Sequence, residues 1–471
     1  MADTNEVFDV AVLGSGPGGY VAAIRAGQLG LKTAIIERDA FLGGTCLHRG
    51  CIPAKVFLHT ADLLQEIRHA SVHGVVVGGE SRVDVAALLE RKRKVVGSLA
   101  QGVKGLLRKS KVSVFQGRGR LASRDRLAVV HEGKDVAAVR AKHIVLATGS
   151  EVRAIGPLPT DGKVVINSDH ILDMQDVPGT MLVIGAGAVG VEFASVYARF
   201  GTKVTIVEML DRVVPVEDAE VSAELEKSFR KQGIECLTST TVTSLKVEGK
   251  KAKVTLKGKD GKESGQAYDR VLVAVGRKPN TDDLGLEEFV VKKTRETVDV
   301  DGNFRTSVPN IFAIGDIIQG PWLAHAASHE GIQVMHEIAG KPFEEKMRFE
   351  RVPNATYCFP EVASIGLTEA AAKEKGYDVV AAKFPFRGIG KALILGETDG
   401  FVKIVAEKKY DEVLGVHIIG PKATELISPA SVAVAHEATV ESLAHAVQAH
   451  PTVSEAIGEA AHGVHGMAIH F

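Results

Sequence analysis

The chain has 471 residues, enough at about 150 residues per domain for roughly three domains that each bury a core. Its 57 basic and 58 acidic side chains leave a formal charge of -1, which excludes a global field that would draw it to nucleic acid or an anionic membrane. Only four cysteines occur, and MADTNEVFDV has neither the basic start nor the apolar core of a secretory signal, so a reducing, cytoplasmic setting is expected.

Val7 to Leu13 reads as a buried parallel strand. It leads into Gly14-Ser15-Gly16-Pro17-Gly18-Gly19, a helical stretch ending near Gly30, and a second strand, Thr33 to Ile36, that ends at Glu37. In such a strand–turn–helix unit Gly14 makes the tight turn, Gly16 lets backbone N–H groups approach a pyrophosphate, and Gly19 lets the helix pack close to the strand. Glu37 is placed to accept hydrogen bonds from the hydroxyls of an adenosine ribose.

Next comes Gly43-Gly44-Thr45-Cys46-Leu47-His48-Arg49-Gly50-Cys51-Ile52-Pro53-Ala54-Lys55. Two cysteines five positions apart in a reducing compartment point to redox or metal chemistry. Five residues of ideal helix rise about 7.5 Å, past the ~7 Å limit on Cα separation for a disulfide. Bridging therefore requires a distorted turn, to which Gly50 and Pro53 are suited. A zinc site would need a second cluster of ligands, and only His48 sits locally, so no metal is expected. Cys236 and Cys358 stand alone and read as small buried apolar residues.

The first pattern recurs. Thr180 to Ile184 precedes Gly185-Ala186-Gly187-Ala188-Val189-Gly190, a helix to about Phe200, and a strand ending at Glu208. Each acid lies 23 positions after the first glycine of its turn. One glycine turn is weak evidence, but two with matched acids predict two bound dinucleotides. A carboxylate at Glu208 repels a 2′-phosphate and favours NAD, although Arg212, four residues on, is a competing phosphate ligand or a solvated loop charge. The apolar run Met181 to Val191 is broken by Glu192, well short of the ~20 residues of a bilayer span, so no membrane partner is expected.

Toward the C-terminus, Phe401 to Val405 and Val413 to Ile419 alternate as antiparallel strands, and helical periodicity begins near Ala423. His450-Pro451-Thr452-Val453-Ser454-Glu455 then precedes a helical segment rich in small residues.

The segment GGTCLHRGCIPAK, with GSGPGGY and GAGAVGVEF, resembles the flavoprotein disulfide reductases. The likeness runs through Ala147-Thr148-Gly149-Ser150, Val275-Gly276-Arg277-Lys278-Pro279-Asn280, Ala313-Ile314-Gly315-Asp316 and the His450 to Glu455 segment. It implies an α/β fold of two Rossmann-like dinucleotide-binding domains plus a C-terminal α+β dimerisation domain. The expected bounds are 1–149 for the first part of the FAD domain, 150–277 for the NAD domain, 278–349 for a return segment completing the FAD site, and 350–471 for the interface.

The resemblance also implies roles. FAD would lie on the first turn, with Gly44, Thr45 and Lys55 beside the flavin and the backbone of Gly119 at the adenine. Thr148, Gly149, Ser150 and Asp316 would complete that site, and the helix starting at Ala324 and His325 would point at the isoalloxazine. NAD would lie on the second turn with Glu192, Glu208, Val242, Gly276 and Arg277. Cys46 and Cys51 would form the redox disulfide. His450, oriented by Glu455, would serve as a base in the active site of the other subunit, which makes the protein an obligate homodimer.

The activity so implied is oxidation of dihydrolipoyl groups on a lipoylated protein, of a 2-oxoacid dehydrogenase or glycine-cleavage system, with reduction of NAD+. The rivals are an NADPH-linked reductase of glutathione, a related disulfide or mercuric ion, and a flavin-bearing scaffold. This chain departs from the family pattern at His48-Arg49, commonly Asn-Val, and at Ala54, commonly Ser. Positive charge between the cysteines favours a thiolate; the alternative is that both side chains face solvent.

Overall fold

Val10 to Leu13 and Ala34 to Ile36 are continuous apolar runs because both faces of their sheet are covered, and every one of these side chains is buried. The computed structural model describes residues 2–343 and 346–470. The chain divides into two compact units.

The first unit comprises Met1–Val56, Leu89–Arg153 and Arg277–Phe349. Its sheet runs in the order Ser113–Gln116, Thr33–Glu37, Ala2–Leu13, Lys134–Leu146, Arg126–His131, Arg118–Ser123, and strand Ile311–Ala313 also pairs with Lys134–Leu146. Strand Ala2–Leu13 is parallel to both neighbours, with Val12 opposite Ile35 and Val145. Helix Pro17–Gln28 crosses helix Ala324–Ile338 closely: a Cβ on Gly331 would stand 2.7 Å from the Gly18 carbonyl oxygen. The two links between this unit and residues 154–276 are zipped together, strand Ser150–Val152 pairing antiparallel with Arg277–Pro279.

The second unit comprises Phe57–Leu88, Ala154–Gly276 and Glu350–Phe471. It repeats the parallel sheet in the order Glu235–Leu237, Lys203–Val207, Thr180–Ile184, Arg270–Val273, Val165–Ile166, and adds an antiparallel sheet of Thr241–Glu248, Lys251–Lys257 and Glu263–Tyr268. Its C-terminal part is an antiparallel sheet ordered Asn354–Thr356, Glu361–Gly366, Val413–Gly420, Phe401–Glu407, Val379–Pro385. Helices Ala423–Ala435 and Glu455–Val464 bury Leu426, Ile427, Ala456 and Ile457 in its core.

A buried ion cluster ties this sheet to helix Ala219–Lys231. The Lys403 ammonium, 3% exposed, meets Asp218 at 3.1 Å, Glu220 at 2.7 Å and Glu369 at 2.8 Å. Asp218 also caps that helix, accepting from the Glu220 N–H.

Candidate active site

The two glycine turns are built alike. In the first, Glu37 Oε2 accepts from the Ser15 N–H (2.8 Å) and hydroxyl (2.5 Å), and Oε1 from the Asp39 N–H (2.8 Å). In the second, Glu208 Oε2 accepts from the Ala186 N–H (2.7 Å) and Oε1 from the Leu210 N–H (2.9 Å). Both acids thus brace their own turns, a role that spacing alone does not reveal. Remaining lone pairs on each carboxylate are available to a ribose.

The glycines of each turn serve different constraints. A Cβ on Gly14 or Gly185 would strike the carbonyl of Ala147 or Ala274, and one on Gly19 or Gly190 would strike the carbonyl of Gly14 or Gly185. A Cβ on Gly16 or Gly187 meets nothing within 4 Å. These two residues are the N-caps of helices Pro17–Gln28 and Ala188–Phe200, which have no side-chain cap and no acid in the first turn. Two bare helix N-termini, each approached by a residue with no side chain, fit the pyrophosphates of FAD and NAD.

The cysteine segment is attached directly to the first turn. The Gly43 N–H donates to Ser15 O and Oγ, both at 3.1 Å, and a Cβ on Gly44 would stand 2.5 Å from the Gly16 Cα. From there helix Gly44–Arg49 carries Thr45 and Cys46, Gly50 leaves helical geometry at φ -140° and ψ -115°, and helix Cys51–His69 begins. The break is the distortion that a five-residue spacing demands. Pro53 falls in the first turn of the new helix, where a missing N–H costs nothing.

The two thiols are hydrogen-bonded to each other. That bond, with burial and the neighbouring Cys51 charge, holds the Cys46 thiol well above its ordinary range, and the Lys55 ammonium pulls it the other way. Such a pair titrates as a unit. His48 Nε2 bonds the Leu42 carbonyl at 2.9 Å, and Arg49 pairs with Asp39.

Of the remaining first-unit residues, Ser150 is bonded to the turn Gly315–Ile317. Asp316 accepts from the Ser150 hydroxyl, which in turn accepts from Arg277 Nε at 2.7 Å; Arg277 also donates to the Ser150 carbonyl at 2.7 Å. Thr148 Oγ1 donates to Asn280 O (2.7 Å) and the Asn280 amide to Thr148 O (2.9 Å), while Gly149 supplies φ +68° between them. Arg277 is thus held by Ser150 on the neighbouring strand. Ala324 opens helix Ala324–Ile338, whose N-cap Leu323 offers no side-chain bond, and His325 is exposed in its first turn. Gly119 packs under Leu13 and Ile36, where a Cβ would collide with Leu13.

In the second unit Glu192 is buried in helix Ala188–Phe200, and its Oε1 accepts from the Tyr357 N–H at 2.9 Å. Val242 sits half-buried in strand Thr241–Glu248, and Gly276 has φ +103°. Arg212 lies 3.8 Å from Asp211. His450 is exposed on the approach to helix Glu455–Val464. Its Nδ1 bonds Glu455 Oε1 at 2.8 Å, and Glu455 Oε2 accepts from the Thr452 N–H at 2.9 Å. His450 and that N–H hold the Glu455 carboxyl below its usual range, and a hydrogen on Nδ1 directed at this carboxylate leaves Nε2 as the nitrogen it does not engage.

Sequence reasoning missed Glu330. It is 2% exposed, and its Oε2 accepts from the Gly315 N–H at 2.6 Å, directly behind Asp316. The available signal was a charge set in a small-residue helix face, Ala326-Ala327 to Gly331. Cys236 and Cys358 are thiols pushed up by burial, Cys236 to about 12, as suits inert packing residues. Among the described residues no group of three His, Cys, Asp or Glu side chains is arranged to hold a metal, and no helix is long and apolar enough to cross a membrane.

Two dinucleotide turns and a vicinal dithiol define a class of nucleotide-linked thiol redox proteins. The chain belongs to the pyridine nucleotide-disulphide oxidoreductase family: the family model matches residues 8–331, and that of its dimerisation domain matches 352–461. Proteins of this family use FAD and NAD(H). The chain is 41% identical to the dihydrolipoyl dehydrogenase of Bacillus subtilis, over 98% of this chain and 99% of that protein. It is 40% identical to the leghemoglobin reductase of Glycine max, over 98% and 88%. Among solved structures it resembles LpdA from Mycobacterium tuberculosis, with TM-score 0.89 and 28% identity over 97% of this chain and 99% of that one.

Proposed function

We propose that this chain oxidises protein-bound dihydrolipoyl groups to lipoyl and delivers the electron pair to NAD+, acting as a cytoplasmic homodimer. The observation that carries the reading is the Cys46–Cys51 pair, hydrogen-bonded across the Gly50 break and anchored to the first glycine turn. The name shared by the relatives from Bacillus subtilis and Zymomonas mobilis supplies the substrate class.

In the reductive half, a dihydrolipoyl thiol gives its proton to His450 Nε2 and attacks the Cys46 sulfur of the oxidised pair. The Cys46–Cys51 bond breaks and Cys51 leaves as a thiolate. The second dihydrolipoyl thiol then displaces Cys46, closing the lipoyl ring and leaving both cysteines reduced. Glu455 holds the imidazole in the useful tautomer throughout. A bound FAD supplies two-electron exchange between a dithiol and a nicotinamide. Gly14, Gly16, Gly19, Glu37, Gly44, Thr45, Lys55, Gly119, Thr148 to Ser150, Asp316, Ala324 and His325 would hold it, and Gly185, Gly187, Gly190, Glu208, Val242 and Gly276 would hold NAD. Glu192 and Arg277 complete the NAD residues in this reading. The domains assigned to these roles are 1–149 with 278–349 for FAD, 150–277 for NAD and 350–471 for the dimer interface.

Steady-state turnover of dihydrolipoamide with NAD+, compared with glutathione disulfide with NADPH, tests the reading. Only the first pair should be turned over, and Cys46→Ser should lose it by about three orders of magnitude or more. Preference for the second pair, or equal rates in Cys46→Ser, would overturn it.

A further inference from the structure

Helix Glu455–Val464 carries Glu455 and Glu459, four residues apart and so on one face. Glu459 is used as Glu455 is used. Its Oε1 takes His470 Nδ1 at 2.7 Å, and its Oε2 accepts from the Ile469 N–H at 3.0 Å and the His470 N–H at 3.4 Å. One imidazole comes from the segment before the helix and the other from the segment after it. In both rings Nδ1 faces a carboxylate, which leaves Nε2 as the basic nitrogen.

The second pair reaches the first. His470 contributes, after His450 and the Thr452 N–H, to holding the Glu455 carboxyl low. Other charged groups on the packed elements are engaged elsewhere. Lys383 and Lys403, on the two strands under the helix, are held by Glu220, Asp218 and Glu369. His445, on helix Val440–His445 beside Glu441, lies 6.3 Å from the His462 ring, and His465 bonds Asp411. Arg387, on the Phe386–Gly388 turn beside the His470 carbonyl, carries a fixed charge.

We propose that the His470–Glu459 pair is a positioning pair that sets the proton affinity of His450. A protonated imidazole and its carboxylate compensate; with one member removed, the other acts unopposed on Glu455, one helical turn away, and through it on the base. The inference rests on the reading of His450 as the base.

The test is the pH profile of kcat/KM for dihydrolipoamide in the holoenzyme, for wild type, His470→Gln, Glu459→Gln and the double variant. His470→Gln leaves an uncompensated carboxylate, so the acid-limb pKa rises by about half to one unit. Glu459→Gln leaves an uncompensated imidazolium below its own pKa, so the limb falls. The double variant returns toward wild type. A merely structural latch moves both single variants the same way or lowers kcat without shifting the limb, and either result overturns the proposal, as does an unmoved profile in both. His450→Ala separates the two readings. If it leaves the profile intact, His450 is not the base; if it removes activity while the other variants shift nothing, only the role of His470 and Glu459 fails.

Discussion

Glu37 grips Ser15 twice, through its N–H and its hydroxyl, whereas Glu208 grips Ala186 once. Glu37 is also the more buried acid. A hydrogen bond to a charged group contributes about 1.5–3 kcal/mol. Ser15→Ala should lower the unfolding free energy of the flavin-free protein by about that amount in a denaturant titration, and unchanged stability would show that the turn is held by other means.

Gly16 and Gly19 should fail in different ways. Gly19→Ala drives a Cβ into the Gly14 carbonyl, so the first unit must shift, and lower thermal stability is expected with or without flavin. Gly16→Ala meets nothing in the chain. It should melt like wild type as apoprotein yet bind FAD at least about tenfold more weakly, because the methyl occupies the approach of the pyrophosphate. Apoprotein melting curves and flavin titration separate the two, and equal flavin affinity in Gly16→Ala would remove the pyrophosphate from that helix end.

Burial pushes the Glu330 carboxyl up to about 7, against the Gly315 N–H bond and with help from Asp316. The folded protein therefore keeps this proton where the unfolded chain releases it, from about 4.5 to about 7. Stability from this group is complete below that window and falls as pH rises through it. Glu330→Gln, which keeps the acceptor oxygen, should be stabilised relative to wild type by an amount growing to the order of 3 kcal/mol above pH 7. Unfolding measured at pH 5 and pH 8 checks this, and a pH-independent difference would contradict it.

Lys403→Met should destabilise the protein by about 3–5 kcal/mol, because it strands the buried Asp218 without its cation. The cost should shrink in Lys403→Met/Asp218→Asn, where no charge is left unpaired. Chemical denaturation of both variants measures the difference, and equal losses would mean that packing, not charge, dominates at this site.

The two strand–turn–helix units were legible because glycine spacing and uninterrupted apolar strands report local geometry, and residues 180–184 and 188–200 adopt the expected states. The C-terminal strands lie where expected, but without the expected alternation: every residue of Phe401–Glu407 and Val413–Gly420 is buried, because both faces of their sheet are covered. Partners far away in sequence were not legible. Nothing near Glu192 points to Tyr357, 165 residues on, and nothing near Arg277 points to Ser150. The Arg49–Asp39 pair was also hidden, although only ten residues separate its members, because a loop charge carries no periodic signature. Helix Cys51–His69 runs unbroken past the boundary at Val56, and its one proline, Pro53, marks the helix start and not the boundary.

The likeness of the two glycine turns also bears on ligand choice. Since both offer the same bare helix end and the same acid 23 residues downstream, neither turn by itself can tell a flavin dinucleotide from a nicotinamide one. Transplanting one turn into the other's place should leave each site loyal to its original guest. Discrimination must be exercised at the far end of the molecule held, beyond the turns themselves.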